Sequence, residues 1–148
     1  MANDLTILTD DGKVNVRTAA WIEHDGKLLV CKFFDGVISL PGGRIKFGET
    51  SQEAVKREVY EEIGEKPKST KFMAVIENLF NLKVPYHEYL FVYKVGIDYK
   101  SEYQPNEENN QSLFWIDMNE IDSIQPKELL KLKGLSDDKL PLHLVNID

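Results

Sequence analysis

Residues 43–65 read GRIKFGETSQEAVKREVYEEIGE, and this stretch decides the fold because it carries the signals of both ends of a helix. Thr50 and Glu53 have the spacing of a capping box, in which a hydroxyl and a carboxylate satisfy free N–H groups at the helix start. Gly64 is a natural residue just beyond a helix end. The stretch therefore predicts a helix over residues 51–63.

Three acidic residues share one face of this predicted helix. Glu58, Glu61 and Glu62 stand at i, i+3 and i+4, spacings that put their Cβ atoms about 5–6 Å apart. They lie beside the apolar stripe of the helix, so they border the core, where crowded like charges are unfavourable without a counter-charge. A solvated acidic face is the ordinary interpretation of such a run, but this position favours a hard divalent cation.

The segment before the helix reads LPGGR over residues 40–44. Two adjacent glycines, Gly42 and Gly43, allow positive φ angles and let backbone carbonyls approach a bound ion closely. We therefore expect the loop and the acidic face to form one site.

The spacing of these residues is similar to the Nudix box of the Nudix hydrolases, G-x5-E-x7-R-E-U-x-E-E-x-G-U, where U is a bulky aliphatic residue. Here it is Gly43, Glu49 and then REVYEEIG over residues 57–64, so eight of the nine specified positions match. Glu65 stands where the pattern has its last aliphatic residue, which affects packing after the helix rather than the metal site.

The resemblance implies a set of metal ligands. Glu58, Glu61 and Glu62 would bind the metal, with the Gly42 carbonyl as a further candidate. Oxygen ligands of this kind suit Mg²⁺ or Mn²⁺, which keep several waters and bind a few carboxylates together with substrate phosphates.

The resemblance also assigns supporting and catalytic roles. Arg57 and Glu49 match the pair expected to form a salt bridge. The general base that holds the attacking water is left open between Glu58 and Glu61 in the box and Glu108 in a later polar loop. Glu108 and its neighbour Glu107 are equally well interpreted as solvated loop acids.

Three basic residues are candidates for substrate binding. Arg17 interrupts an apolar strand, Lys32 follows one, and Arg44 comes directly after the glycines. Relatives often place phosphate-binding cations at such positions, although each residue is also compatible with an ordinary surface charge. The pair His87-Glu88 is interpreted as a satisfied strand-end pair rather than a catalytic one.

Composition indicates the number of domains, the kind of partner and the cellular compartment of the protein. The 148 residues are 42% hydrophobic, which fits one domain over residues 1–148 with a sizeable core. With 18 basic and 25 acidic residues the net charge is −7, which disfavours a nucleic acid polymer and still permits a small nucleotide. Cys31 is the only cysteine and lies in an apolar run, which indicates a reducing compartment. The sequence has neither an apolar window long enough for a membrane span nor a secretory signal, so we expect a soluble cytoplasmic protein.

The remaining elements predict a mixed α/β (α+β) fold. Strands are expected over residues 14–22, 27–34, 37–40, 71–80 and 87–96, with a hairpin turn at Asp25-Gly26 and a short final strand at 114–116. Short helices are expected over 118–124 and after Pro126. This order is not a regular βαβ alternation, and the resemblance implies an α/β/α sandwich with a mixed sheet. The apolar tail, residues 140–145, is expected to dock on the body or on a partner, which leaves a homodimer open.

The function implied is metal-dependent hydrolysis of a phosphoanhydride bond in a nucleoside diphosphate derivative. Nucleoside triphosphates and ADP-ribose-like nucleotide sugars are both open, because the box acts on the shared pyrophosphate. Two other classes stay as alternatives: a catalytically silent Nudix-fold module that senses nucleotides or regulates, and an interaction protein with a structural acidic helix.

Overall fold

The computed structural model describes residues 2–33, 35–107 and 111–148. In these ranges the strands are β1 (Thr6–Thr9), β2 (Gly12–Trp21), β3 (Glu23–His24), β4 (Lys27–Lys32), β5 (Ile38–Ser39), β6 (Gly42–Arg44), β7 (Ser69–Asn81), β8 (Pro85–Gly96), β9 (Ser112–Asp117) and β10 (Leu142–Ile147). The α-helix is α1 (Ser51–Ile63), and 3-10 segments cover Met118–Glu120, Lys127–Leu132 and Asp137–Lys139.

The larger sheet has the strand order β1-β2-β8-β7-β10, with β6 also paired to β2. Strands β2 and β8 are parallel, as are β7 and β10, whereas the other pairs are antiparallel. The mixed sheet predicted from the element order is confirmed.

A smaller sheet contains β3, β4 and β5, with β9 paired to the other side of β4. The hairpin between β3 and β4 turns at Asp25 and Gly26, whose φ angles are 47° and 75°. Positive φ at both central residues is the geometry that Asp-Gly favours in a two-residue hairpin, so the predicted turn is confirmed.

Two hydrophobic cores lie on opposite faces of the sheet, because successive side chains of a strand point to opposite sides. Ala20 of β2 and Ile22 just after it face the core shared with α1, whereas Ala19 and Trp21 of β2 face the second core. The apolar stripe of α1 fills the first core with Val55, Val59 and Ile63. The second core is covered by Leu129 and Leu132 of the segment Lys127–Leu132.

The predicted sandwich is therefore present, but the layer opposite α1 is a 3-10 segment rather than an α-helix. Its turns close with i to i+3 bonds, from Leu129 N to the Pro126 carbonyl at 3.1 Å and from Lys133 N to the Leu130 carbonyl at 3.2 Å. The helix expected over 118–124 is likewise a single 3-10 turn, Met118–Glu120, which the Asp117 carboxylate caps at Asn119 N.

The sequence had suggested that the strand at 114–116 is the last one, but another strand follows it. The tail forms β10, which pairs in parallel with β7 from Leu142 opposite Ala74 to Ile147 opposite Leu79. Leu144 and Asn146 are buried, whereas the alternate residues His143, Val145 and Ile147 are exposed. The tail thus docks on the body of its own chain. No helix in the described ranges has the length and apolar character needed to cross a membrane.

Candidate active site

Helix α1 has the bounds that the sequence predicted. Thr50 Oγ1 accepts a hydrogen bond from Glu53 N at 3.1 Å and donates one to Glu53 Oε1 at 3.0 Å. At the other end, Gly64 has a φ of 83° and its N–H donates to the Tyr60 carbonyl at 3.0 Å. Only a residue that tolerates a left-handed backbone closes the helix in this way. Both ends of the helix are therefore set by local signals.

Arg57 organises the acidic face. Its Nε and Nη2 donate to the two carboxylate oxygens of Glu49 at 2.8 and 2.9 Å, which gives a two-pronged ion pair. Its Nη1 donates to Glu58 Oε1 at 2.8 Å and to Glu61 Oε2 at 3.2 Å. Nη2 also donates to the Arg44 carbonyl at 3.1 Å. One guanidinium thus ties the helix to the preceding loop and offsets the charge of three carboxylates.

The protonation equilibria reflect this crowding. The hydrogen bonds from Arg57 hold the pKa of Glu49 below its usual value. Burial raises the pKa of Glu58. Burial, reinforced by repulsion from Glu58, raises the pKa of Glu62 to about 7. Desolvated carboxylates that repel one another are an environment that a cation would relieve.

Gly42 and Gly43 bring the backbone of β6 against the helix. Gly42 N donates to Glu62 Oε2 at 3.1 Å. A Cβ at Gly43 would lie 2.5 Å from Glu58 Oε1, and a Cβ at Gly42 would overlap the Thr18 carbonyl. Both glycines are extended residues of β6, and neither adopts the positive φ that glycine allows. They are needed for close approach rather than for backbone freedom.

The residues fit a hard divalent cation in their chemistry. Glu58, Glu61 and Glu62 offer carboxylate oxygens beside Gly42, and two of these carboxylates are desolvated without a full counter-charge. Across the part of the chain that the structure describes, no three His, Cys, Asp or Glu side chains converge on one point to hold an ion. Glu58 and Glu61 instead contact Arg57, and Glu62 contacts Gly42 N, so the predicted ligands lie on one helix face without forming a closed cage.

The loop after β8 docks on the carboxyl end of α1. The amides of Asn106 and Glu107 both donate to the Glu61 carbonyl, at 2.9 and 3.0 Å, and Asn106 Nδ2 donates to the Tyr60 carbonyl at 2.8 Å. These bonds satisfy the Glu61 carbonyl at the helix end and add a second hydrogen bond to the Tyr60 carbonyl, which also accepts from Gly64 N. The backbone of Glu107 is thereby attached to a box residue. Glu108, the later candidate for the general base, lies outside the described residues.

Glu65, the position that departs from the box pattern, takes part in this docking. Its Oε2 accepts a hydrogen bond from Lys100 Nζ at 2.7 Å, and the Glu65 side chain is 16% exposed. The neighbouring Gly64 has no room for a side chain, because a Cβ there would overlap the Gln104 carbonyl. The departure therefore replaces an apolar contact with an ion pair between the helix end and the loop.

The three predicted substrate-binding cations separate in the structure. Arg17 in β2 and Arg44 in β6 are paired across the two strands, and both line a cavity of about 560 Å³ that reaches Gly42. Lys32 ends β4 as an exposed residue and is not part of that lining. The structure brings Arg17 and Arg44 together beside the box and leaves Lys32 apart from them.

The chain is similar to a known family and to several known proteins. The family described as NUDIX domain matches residues 13–136. The chain belongs to the NUDIX domain family. It is similar to an ADP-ribose pyrophosphatase of Methanocaldococcus jannaschii, with 45% identity over 58 residues, which is 36% of this chain and 34% of the relative. It is also similar to the nucleoside triphosphatase NudI of Escherichia coli, with 42% identity over 50 residues, 30% of this chain and 36% of NudI. The matches thus span only about a third of these curated relatives.

Solved structures support the fold of this NUDIX domain. The solution structure of the E. coli ORF135 protein superposes with a TM-score of 0.62 at 22% identity, covering 82% of this chain and 87% of that one. Residues 142–147, which form β10, lie beyond the NUDIX match and still complete the larger sheet.

Sequence reasoning missed the polar residues on the cavity side of this NUDIX domain. Asn15, Asn78 and Glu88 line the cavity with Arg17 and are buried. Glu88 is therefore not the strand-end partner of His87 that we had expected; its carboxylate accepts a hydrogen bond from Asn78 Nδ2 at 3.1 Å. The signal was a polar residue at an inward position of an otherwise apolar strand, as with Asn15 between two valines.

Proposed function

We propose that this protein is a divalent-metal-dependent Nudix hydrolase that cleaves a phosphoanhydride bond in a nucleoside diphosphate derivative. The observation that carries the proposal is the acidic face of α1, where Glu58 and Glu61 contact Arg57 and Glu62 contacts Gly42 N, next to a cavity lined by Arg17 and Arg44. Acidic metal ligands beside paired guanidiniums suit a substrate with adjacent phosphates.

The residues divide the work as follows. Glu58, Glu61 and Glu62, with the Gly42 carbonyl, would hold Mg²⁺ or Mn²⁺. When bound, such an ion offsets charge on the phosphoryl oxygens and lowers the pKa of a coordinated water. Arg57 keeps the helix carboxylates in place through Glu49 and is a positioning residue.

Substrate binding and proton transfer fall to other side chains. Arg17 and Arg44 bind the phosphates and orient the scissile bond. Water attacks phosphorus, the bridging P–O bond breaks, and a carboxylate accepts the proton of the water. Glu58 and Glu61 are the candidates among the described residues, and Glu108 is a third outside them.

The substrate class is open between nucleoside triphosphates and ADP-ribose-like nucleotide sugars. The names of the two curated relatives point to both, and the box acts on the pyrophosphate that both contain. A catalytically silent module is less well supported. The residue that had favoured it, Glu65, has an alternative explanation in its ion pair with Lys100.

Activity assays test the proposal directly. Purified protein with Mg²⁺ or Mn²⁺ is incubated with nucleoside triphosphates, ADP-ribose and other nucleotide sugars, and the phosphorylated products are separated by chromatography. We expect two phosphorylated products from at least one substrate, and loss of turnover with EDTA. Glu61→Gln and Glu62→Gln should reduce turnover by about 10²-fold or more, because each removes a charge placed for metal binding. Glu102→Gln, on an exposed loop residue, is the matched control.

Three results would count against the proposal. If both box variants keep wild-type turnover, the metal assignment is wrong. If no substrate gives phosphate-containing products while nucleotides still bind, the silent module is the better account. Titration with Mn²⁺ that shows no binding would favour the acidic helix as a structural element.

We also propose that residues 1–148 work as one Nudix domain in the cytoplasm. The buried thiol of Cys31 is compatible with a reducing compartment. A homodimer is the alternative to a monomer, and light scattering on the purified protein separates the two.

A further inference from the structure

A row of five polar residues crosses the larger sheet from edge to edge. Thr6 in β1 is opposite Asn15 in β2, Asn15 is opposite Glu88 in β8, Glu88 is opposite Asn78 in β7, and Asn78 is opposite Asn146 in β10. Residues directly opposite one another in a sheet point to the same face. We call these five residues the polar row.

Four of the five residues in the polar row are buried, and Thr6 is half-buried. Asn15, Asn78, Glu88 and Asn146 are between 1% and 7% exposed. Hydrogen bonds connect most of the row: Thr6 to Asn15 at 2.9 Å, Asn78 to Glu88 at 3.1 Å and Asn146 to Asn78 at 2.8 Å. Burying polar groups is costly even when they are paired, and an apolar row would pack at least as stably. The row therefore points to a role in binding rather than in folding.

The row lies at the floor of the 560 Å³ cavity, through Asn15, Asn78 and Glu88. The size is within the usual range for small-molecule sites. Two residues further along their strands, on the same face, Phe80 and Tyr86 also line the cavity and stack at 4.8 Å with ring planes 10° apart.

In the opposite direction, two residues beyond Asn15, the same face of β2 carries Arg17 with Arg44 opposite. Successive same-face positions are roughly 7 Å apart along a strand. An aromatic pair, a polar row and a guanidinium pair thus follow one another, with the guanidiniums nearest the box. This is the order in which a nucleotide presents its base and its phosphates.

The hydrogen-bonding groups of the row that are not used within the row determine which base would be complementary to it. Glu88 uses Oε2 for Asn78, and its Oε1 is 3.8 Å from Arg17 Nε, so the carboxylate keeps acceptor capacity toward the cavity. Asn15 uses its Oδ1 for Thr6, which leaves its amide nitrogen as a donor. The floor therefore presents one carboxylate, which can accept at both oxygens because each has two lone pairs, next to an amide donor.

Among the common nucleobases, guanine carries the complement of this pattern. Its N1–H and N2–H groups are adjacent donors and its O6 is an acceptor. Adenine and cytosine offer a single exocyclic amino donor beside a ring acceptor, and uracil offers a single N–H. A ribose diol could also donate to a carboxylate, but it would not use the aromatic pair.

We propose that the polar row is a base-recognition site that selects a guanine nucleotide through Glu88 and Asn15. The inference rests on the proposed function for its assumption that the ligand is a nucleotide. The residues that select the base lie outside the box, in a row built from five strands, whereas the chemistry of phosphoanhydride cleavage lies on α1 and β6.

Calorimetric titration of the wild-type chain with mononucleotides in EDTA tests the proposal without any turnover. GMP, IMP, AMP and ribose 5-phosphate are the probes. IMP keeps N1–H and O6 but lacks the amino group, so GMP should bind at least about tenfold more tightly than IMP, since a hydrogen bond to a charged acceptor is lost. AMP and ribose 5-phosphate should bind more weakly than GMP by a similar factor or more.

The same titrations on the Glu88→Gln variant are the second test, because glutamine keeps the size of the side chain and replaces one acceptor oxygen by a donor. GMP binding should fall at least about tenfold and the preference for GMP over IMP should vanish. Glu77→Gln is the matched control: it is the neighbour of Asn78 on β7, faces the opposite side and does not line the cavity. Thermal melts show whether both variants fold. If Glu88→Gln does not fold, the titrations of the wild-type chain with the four probes test the proposal on their own.

The unfavourable outcomes are distinct. Equal affinities for GMP and IMP, or for GMP and ribose 5-phosphate, would overturn base selection. A uniform loss of affinity for all four probes in Glu88→Gln would show that Glu88 only positions Arg17, which also overturns it. Base-selective binding without hydrolysis of any substrate would refute the proposed function and leave this inference standing, whereas hydrolysis without base preference would refute this inference alone.

Discussion

Removing the Arg57 guanidinium is the perturbation whose cost can be worked out most directly. Its Nε, Nη1 and Nη2 make five hydrogen bonds to Glu49, Glu58, Glu61 and the Arg44 carbonyl, and the side chain is only 22% exposed. Breaking a buried ion pair by removing one partner costs about 3–5 kcal/mol, because the other charge is left uncompensated. Because Arg57 is partly exposed, we expect Arg57→Met to lower the unfolding free energy by about 3 kcal/mol, the lower end of this range.

Urea denaturation in EDTA measures this cost without any contribution from metal. A loss of about 3 kcal/mol corresponds to a fall in Tm of roughly 6–12 °C for a chain of this size. Lys56→Met is the matched control, since Lys56 is the exposed neighbour on the same helix and should change stability by less than about 0.5 kcal/mol. The reasoning is refuted if the two variants are equally stable.

The pH dependence of the same ion pair has a definite sign. Arg57 lowers the pKa of Glu49 from its usual 4.5, so the folded state holds the proton less tightly than the unfolded state. The stabilisation is therefore present above pH 4.5 and is lost as the pH falls below it. Compared with Glu49→Gln, the wild type should be more stable at pH 6 and lose that advantage toward pH 2. An advantage that persists unchanged at pH 2 would contradict the assignment.

Two further substitutions test close contacts, and one chemical modification tests burial. Gly43→Ala places a Cβ 2.5 Å from Glu58 Oε1, so we expect the carboxylate to move, Mn²⁺ affinity measured by calorimetry to fall, and stability to change by less than about 1 kcal/mol. Gly64→Ala combines a φ of 83° with overlap on the Gln104 carbonyl and should lower the unfolding free energy in urea by about 2 kcal/mol, with faster amide exchange in the docked loop. Burial raises the pKa of the Cys31 thiol, so a disulfide reagent should modify it slowly in the native protein and rapidly in urea; fast native modification would contradict its burial.

The helix and its chemistry were predictable because their signals are local. Thr50, Glu53 and Gly64 act within one or two turns of the backbone, so the ends of α1 follow from short-range hydrogen bonds. The ion pair of Glu49 with Arg57 follows from the Nudix-box spacing, since both residues are fixed relative to one helix. The Asp25-Gly26 hairpin is local in the same sense.

The less accurate predictions involve contacts between distant segments. A 3-10 segment instead of an α-helix covers the second core, because the apolar pattern of Lys127–Leu132 specifies burial but not helix type. Gly42 and Gly43 looked like turn residues, and only pairing with β2 showed that they are extended and needed for close packing. Glu65 looked like a loss of packing until Lys100 was found beside it.

The sequence by itself determined α1, its caps, its acidic face and the family, because each depends on residues a few positions apart. Only the tertiary structure decided which residues stand opposite one another in the sheet. Parallel pairing of β2 with β8 and of β7 with β10 joins segments far apart in the chain, and its register aligns Asn15, Glu88 and Asn78 into one buried row. A shift of one residue would turn each of these side chains to the other face, and no local pattern fixes that register.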